Sequence, residues 1–163
     1  MSNYLLGHHD TEWARLDDQH LLWRNALLGD LLNAGLSEGM RVLDAGCGVG
    51  SLLVDLAEVV GPSGQAVGLE RDPAAADVAS HRLRDQPWVE VISGDLTEGP
   101  LPAGFDFIVC RWVLSFLPDP AAAVARLASC LRPGGTLVIQ DYDHDGVNLF
   151  PAVQGFAEVI EAF

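Results

Sequence analysis

Apolar positions follow two different spacings along this chain of 163 residues. Between residues 11 and 34 they recur at close to helical spacing, which predicts one long helix or two shorter ones with a break near 17–19. From Met40 onward, short apolar runs alternate with longer segments of helical pattern. This alternation predicts an α/β fold, a doubly wound parallel sheet with helices on both faces.

The same pattern sets the expected order of elements. Strands are predicted at 41–45, 65–70, 88–93, 105–110 and 136–140, with a turn at 133–135 before the fifth. Helices are predicted at 50–60, 74–84, 121–131 and 151–161. Pro73 opens the second of these helices and Asp119 caps the third. We expect a mobile arm and a helical lid over 1–35, followed by the sheet domain over 36–163.

Charge and composition exclude several functions. The formal net charge is −14, and all nine basic residues are arginines. Such an acidic surface disfavours nucleic acid and anionic membranes as partners. Three widely separated cysteines indicate neither a disulfide framework nor a zinc site. The chain has no long apolar run and no visible secretory signal, so we expect a cytoplasmic protein.

A glycine-rich stretch follows the first predicted strand. Gly46, Gly48 and Gly50 are spaced two apart before a helix, an arrangement that brings backbone N–H groups close to a ligand. A phosphate-binding P-loop would need a lysine, which the chain lacks, and the dinucleotide fingerprint would need glycine where Ser51 stands. Asp44 would repel a pyrophosphate but suits a ligand with an ammonium and a sulfonium. The alternative for Asp44 is a turn former bonded to nearby backbone N–H groups.

Two further acids end the next strands. Glu70 ends strand two, where an acidic side chain can hold ribose hydroxyls, although a solvated strand-end acid is the alternative. Asp95 follows strand three and could accept a hydrogen bond from an adenine amino group, although a turn aspartate is the alternative. Together these acids favour an adenosine-bearing, cationic ligand.

Five segments in order carry a family resemblance. Residues 42–50, Val-Leu-Asp-Ala-Gly-Cys-Gly-Val-Gly, resemble motif I of class I S-adenosylmethionine-dependent methyltransferases. Segments 67–70 and 93–96 resemble the ribose- and adenine-contacting segments of that family. Segments 105–120 and 131–139 resemble its motif IV stretch and its fifth strand. The leader is similar to that of small-molecule methyltransferases of the ubiquinone-biosynthesis type.

The resemblance implies a Rossmann-like fold, S-adenosylmethionine as cofactor and a small-molecule acceptor. It also implies cofactor contacts from Asp44, Gly46, Cys47, Gly48, Gly50, Glu70, Arg71, Asp95, Leu96 and Arg111. Trp112 would lie with Arg111 beside the sulfonium, and Tyr4 and Gln19 in the leader would close over the cofactor.

Catalysis by such a protein needs few side chains. A general base is required only where the acceptor atom carries a proton. The candidates are His8, His9, His20 and His144, each of which alone is more often a surface or capping histidine. His144 is the best placed, because it follows strand five on the ligand side of the sheet.

An acidic segment at 141–146 raises the question of a metal. Its Asp-x-Asp-x-Asp-Gly pattern matches the first half of a calcium-binding EF-hand loop. The twelfth position is Ala152, where a bidentate glutamate is required, and a strand precedes the segment. We therefore expect an exposed acidic loop and no metal site.

The chain departs from the family at its far end. The family's sheet usually has seven strands, and this sequence has room for five. We expect either a truncated chain or a second copy that covers the open edge in a homodimer. Two functional alternatives stay open beside the methyltransferase: a cofactor-binding module without catalysis, and an NAD-dependent oxidoreductase.

Overall fold

The computed structural model describes residues 10–142. Its helices are α1 (Asp10–Asn33), α2 (Ser51–Val60), α3 (Pro73–Arg82) and α4 (Pro120–Cys130), with a short 3₁₀ helix at Leu114–Phe116. Its strands are β1 (Arg41–Ala45), β2 (Gln65–Glu70), β3 (Val89–Ser93), β4 (Phe105–Arg111) and β5 (Leu131–Gln140). The helix predicted at 151–161 lies outside the described residues, as do Tyr4, His8, His9 and His144.

The five strands form one parallel sheet in the order β3-β2-β1-β4-β5. The predicted fold class, a Rossmann-like doubly wound sheet behind an N-terminal helix, is confirmed. β1 is central, with β2 on one side and β4 on the other, so the direction of winding switches beside it. In sheets of this kind ligands bind outside the carboxyl ends of the strands at the switch point. No helix within residues 10–142 is long and apolar enough to cross a membrane.

Neighbouring residues of the central strands face opposite layers of the core. Val42 packs with α1 and α2 on one face, and Leu43 packs with α4 on the other. Both are fully buried, as expected where helices cover both faces of a parallel sheet. The second half of α1 joins the first layer through Leu27 and Leu31. The core therefore fixes the strand ends, and the site that they carry, from both sides.

Of the two alternatives for 11–34, the structure has the single helix: α1 runs without interruption through 17–19, and Asp17 accepts hydrogen bonds from Ser51 and Arg82 outside the helix. The predicted start of the fifth strand differs from the structure. β5 begins at Leu131, directly after α4, and it includes the predicted turn at 133–135. Phe105 pairs with Leu131 and Phe107 with Thr136, so the β4–β5 ladder has an irregularity that accommodates Gly134 and Gly135.

Candidate functional site

A cavity of about 380 Å³ lies at the carboxyl ends of the central strands. This volume is within the range of about 300–1,000 Å³ that is usual for small-molecule pockets. The loop after β1, the ends of β2 and β4 and the segment after β3 line it, and α1 covers one side. Of the predicted cofactor residues, all but Gly50 line the cavity: Asp44, Gly46, Cys47, Gly48, Glu70, Arg71, Asp95, Leu96 and Arg111.

The three glycines of the loop after β1 have different roles. All three have positive φ, between 54° and 83°, which other residues rarely adopt. A Cβ on Gly48 would meet no atom within 4 Å, whereas a Cβ on Gly50 would lie 3.0 Å from the Cβ of Ala79 in α3. Gly48 therefore leaves room on the cavity side of the loop, and Gly50 allows the loop and α3 to pack closely.

The loop is fastened to β2 by its backbone and by Glu70. The carbonyl of Leu69 accepts hydrogen bonds from the N–H groups of Gly46 and Cys47 at 2.8 and 3.1 Å. Glu70 accepts from the Gly48 N–H through Oε2 at 2.9 Å and from the Asp72 N–H through Oε1 at 2.8 Å. Glu70 is thus more than a solvated strand-end acid. Its oxygens keep lone pairs for further donors, because each can accept more than one bond.

Asp44 is a buried acid on the cavity wall. Its side chain is almost fully buried, and its Oδ2 has no hydrogen-bond partner within residues 10–142. Burial raises the pKa of Asp44 to about 7, Glu70 adds to this effect, and the charge of Arg111 opposes it. A buried acceptor without a partner is costly in a folded protein and points to a missing donor.

Asp95 is tied into its own turn. Its Oδ1 accepts from both the backbone N–H and the hydroxyl of Thr97, each at 2.7 Å. Burial acts to raise the pKa of Asp95, but the bonds from Thr97 and the charges of Arg71 and Arg126 outweigh it and lower the pKa. The turn interpretation of Asp95 therefore describes its bonds, while its position still lines the cavity beside the buried Leu96.

Arg111 ends β4 and faces the cavity from the side opposite β2. Its guanidinium lies 4.4 Å from the ring centre of Trp112, which has a φ of 54°, a left-handed conformation rare for a residue with a side chain. Nη2 contacts the ring of His20 at 3.1 Å, and Nη1 is buried without a partner among the described residues. Burial lowers the pKa of Arg111, although the charges of Asp44 and Asp55 oppose this effect.

Helix α1 contributes cavity residues that sequence reasoning missed. Glu12, Trp13 and Leu16 line the cavity, whereas Gln19, predicted to close over the cofactor, does not. Gln19 donates instead to the hydroxyl of Tyr142 at 2.8 Å. The helical spacing of Trp13 and Leu16 placed them on one face of the helix, but no local signal showed which element that face would cover.

The acidic segment at 141–146 begins with a structural aspartate. Asp141 accepts from the N–H groups of Leu114 and Ser115 through one carboxylate oxygen, which caps the 3₁₀ helix on the cavity wall. The segment beyond Tyr142 lies outside the described residues.

The comparisons with known proteins agree with one another. The model of a family described as a methyltransferase domain matches residues 36–159. An uncharacterized 37.1 kDa protein from a transposon of Streptomyces fradiae is 38% identical over 112 residues, 68% of this chain and 32% of that protein. The demethylmenaquinone methyltransferase of Staphylococcus aureus is 29% identical over 122 residues, 74% of this chain and 49% of that protein. The chain thus spans half or less of these curated relatives.

A solved structure extends the likeness to the fold. A SAM-dependent methyltransferase from Aquifex aeolicus superposes with a TM-score of 0.73 at 26% identity. The match covers 90% of this chain and 79% of that one.

Proposed function

The chain belongs to the methyltransferase domain family, and from this premise we propose that it binds S-adenosylmethionine and transfers the methyl group to a small-molecule acceptor. The observation that carries the proposal is that Asp44 and Gly48 line the same cavity. A buried carboxylate oxygen without a partner lies on the wall of a cavity whose glycine loop leaves open space. A cationic ligand with a bulky adenosine part would donate a hydrogen bond to Asp44 and fill the space beside Gly48.

The lining residues divide along the length of such a ligand. Asp44, Gly46, Cys47 and Gly48 would hold its methionine part, where the ammonium and the sulfonium balance the carboxylate. Glu70 and Arg71 would hold the ribose side, and Asp95 and Leu96 would contact the adenine. Arg111 would lie beside the methionine part from β4. Gly50 supports the site through the packing of α3 against the loop.

The protein's contribution to the reaction is placement. S-adenosylmethionine, when bound, supplies a methyl group that its sulfonium already activates. The chain must align the acceptor and exclude water. Trp13 and Leu16 from α1 and Phe116 from the 3₁₀ helix provide an apolar wall for this purpose. Where the acceptor atom carries a proton, our candidate for the base remains His144.

The acceptor is proposed from charge and from a relative's name. The relative in Staphylococcus aureus is a demethylmenaquinone methyltransferase, whose acceptor is a small molecule. A net charge of −14 disfavours acceptors that carry a phosphate backbone. We also propose a cytoplasmic location. The second candidate is a cofactor-binding module without catalysis, favoured by a cavity lining that, within residues 10–142, contains no histidine to serve as a base.

Calorimetry tests the cofactor proposal directly. We expect S-adenosylmethionine and S-adenosylhomocysteine to bind and NAD to give no binding heat. Gly48→Val should abolish binding, because the branched side chain enters the open space beside the loop and strains a backbone with a positive φ. Gly29→Ala on α1 is a control, since its Cβ meets no atom within 4 Å and it lies away from the cavity. Binding of NAD alone, or unchanged affinity in Gly48→Val, would refute the proposal.

Activity separates the two candidate functions. Methyl transfer to any member of a panel of small-molecule acceptors, followed as S-adenosylhomocysteine formation, supports the enzyme. Cofactor binding without turnover, in this chain and in a version extended toward the length of its relatives, supports the module.

We also propose a homodimer through the β5 edge of the sheet. Within residues 10–142, β5 pairs with β4 alone, and an unpaired edge is a template for another chain. Light scattering on a sizing column should give twice the monomer mass of 17.4 kDa. A monomer at every concentration, melting cooperatively without ligand, would argue against the dimer.

A further inference from the structure

His20 on α1 is held at both ring nitrogens, although it does not line the cavity. Nδ1 lies 3.1 Å from Arg111 Nη2, and Nε2 lies 2.8 Å from Asp55 Oδ2 on α2. The side chains of His20 and Asp55 are 6% and 4% exposed. A buried histidine between a cavity arginine and a buried acid links the leader helix to the site.

The chemistry of these groups fixes the tautomer. A guanidinium can only donate hydrogen bonds, so Nδ1 of His20 must accept and the ring hydrogen is on Nε2. That hydrogen is donated to Asp55, whose other oxygen accepts from Arg24 Nε and Nη2 at 2.8 and 2.6 Å. Burial lowers the pKa of His20, followed by the charge of Arg111, while Asp55 opposes both. The neutral ring is therefore the form that suits its neighbours.

Arg111 depends on this contact for its orientation. The ring of Trp112 supports one face of the guanidinium, and Nη1 has no partner among the described residues. Within the described part of the chain, the bond to His20 is the hydrogen bond that fixes the guanidinium. Without it, the long arginine side chain would be free to adopt other rotamers, at a cost to any ligand that needs it in place.

We propose that His20 is a positioning residue, which holds the guanidinium of Arg111 in the cofactor cavity. Helix α1 then contributes to cofactor affinity through a residue that does not touch the cofactor. The inference rests on the proposed function, because it assigns Arg111 to the methionine side of bound S-adenosylmethionine.

A simpler role for His20 would be to fasten α1 to α2 through Asp55. Two matched substitutions separate the roles, because each keeps one contact of the ring. In His20→Asn the amide oxygen takes the place of Nδ1 and can still accept from Arg111, but the contact to Asp55 is lost. In His20→Gln the amide nitrogen takes the place of Nε2 and can still donate to Asp55, but the acceptor for Arg111 is lost.

The experiment compares S-adenosylhomocysteine affinity and melting temperature in both variants and the wild type. If His20 positions Arg111, His20→Asn keeps affinity within about threefold, and His20→Gln weakens it about tenfold, the effect of one hydrogen bond to a charged group. In an Arg111→Met background, His20→Gln should cause no further loss, since the two residues act as one unit.

The contrary outcomes are distinct from one another. Unchanged affinity in His20→Gln, or a loss in His20→Asn as large as in His20→Gln, would overturn the positioning role. A further tenfold loss from His20→Gln in the Arg111→Met background would overturn it as well. Absence of binding by the wild type would instead overturn the proposed function itself.

Discussion

At the scale of single residues, the protonation of Asp44 depends both on its burial and on the charge of the bound ligand. Because its pKa is about 7, about half of the carboxyl groups are protonated at pH 7. A cationic ligand favours the carboxylate and lowers this pKa. We predict that S-adenosylmethionine binding at pH 7 releases about half a proton, and that affinity rises between pH 6 and 8. Calorimetry in buffers of different ionisation enthalpy measures this number.

Asp44→Asn is the control, because the amide keeps the shape of the side chain and cannot titrate. Its binding heat should not depend on the buffer, and its affinity should be weaker. Proton release as large as in the wild type would assign the effect to another group.

The same residue sets a dependence of folding stability on pH. The pKa is raised from 3.8 in the unfolded chain to about 7 in the folded one, so the folded state holds the proton more tightly. The contribution of Asp44 is most favourable below about pH 4 and is lost as the pH rises through 7, by up to about 4 kcal/mol. Urea unfolding between pH 5 and 8 should show the stability of the wild type, relative to that of Asp44→Asn, falling by about 2–3 kcal/mol up to pH 7 and levelling off above it. A constant difference would contradict this account.

The placement of a residue on the cavity was predictable from sequence where that residue ends a strand. Asp44, Glu70 and Asp95 could be placed on the cavity because parallel strands end at a common edge. The contact of His20 with Arg111 could not, because 91 positions separate the residues and the docking of α1 brings them together. The positive φ of Trp112 had no sequence signal either, because tryptophan does not favour that conformation.

At the scale of elements, Gly68 fixes the contact between β2 and α2. A Cβ on Gly68 would lie 2.7 Å from both Cys47 Sγ and Leu53 Cδ2. We predict that Gly68→Ala lowers the free energy of unfolding by about 1–3 kcal/mol, the usual cost of overpacking a core. Chemical denaturation measures it.

The matched control makes the same glycine-to-alanine change where the added Cβ meets no other atom. A Cβ on Gly29, inside α1, meets no atom within 4 Å, and alanine favours a helix over glycine by about 1 kcal/mol. Gly29→Ala should therefore stabilise the protein by roughly that amount. Destabilisation by both substitutions would show that the response is not governed by packing around Gly68.

Element boundaries followed the sequence where apolar runs met glycine or proline. The bounds predicted for β1 and β2 are confirmed, since a charged residue or a turn borders each run. The start of β5 was wrong, because Gly134 adopts a positive φ inside a strand and the ladder to β4 tolerates it. Local turn chemistry cannot show that a neighbouring strand will still pair.

At the scale of the whole molecule, topology was more predictable than the docking of the leader. The alternation of strands and helices implies a parallel sheet, and its central first strand follows from the doubly wound class. Leu27 and Leu31 bury the second half of α1 in the core, but its first half is docked by polar contacts such as Asp17 with Arg82 and His20 with Asp55. Such contacts carry no periodic signal, so the cavity residues on α1 were missed.

The net charge of −14 gives the last prediction. Repulsion among acids spread over the surface acts over distances that salt screens, since the Debye length falls from about 30 Å at 0.01 M to about 8 Å at 0.15 M. The pairs of Asp17 with Arg82 and Asp55 with Arg24 span 2.8 and 2.6 Å, well inside either length. We therefore expect the melting temperature to rise by about 2–4 °C over this range of sodium chloride, which corresponds to about 1 kcal/mol for a chain of this size. Potassium chloride should have the same effect if screening is the cause. A fall in melting temperature would mean that the short ion pairs that hold α1 contribute more to stability than the long-range repulsion removes.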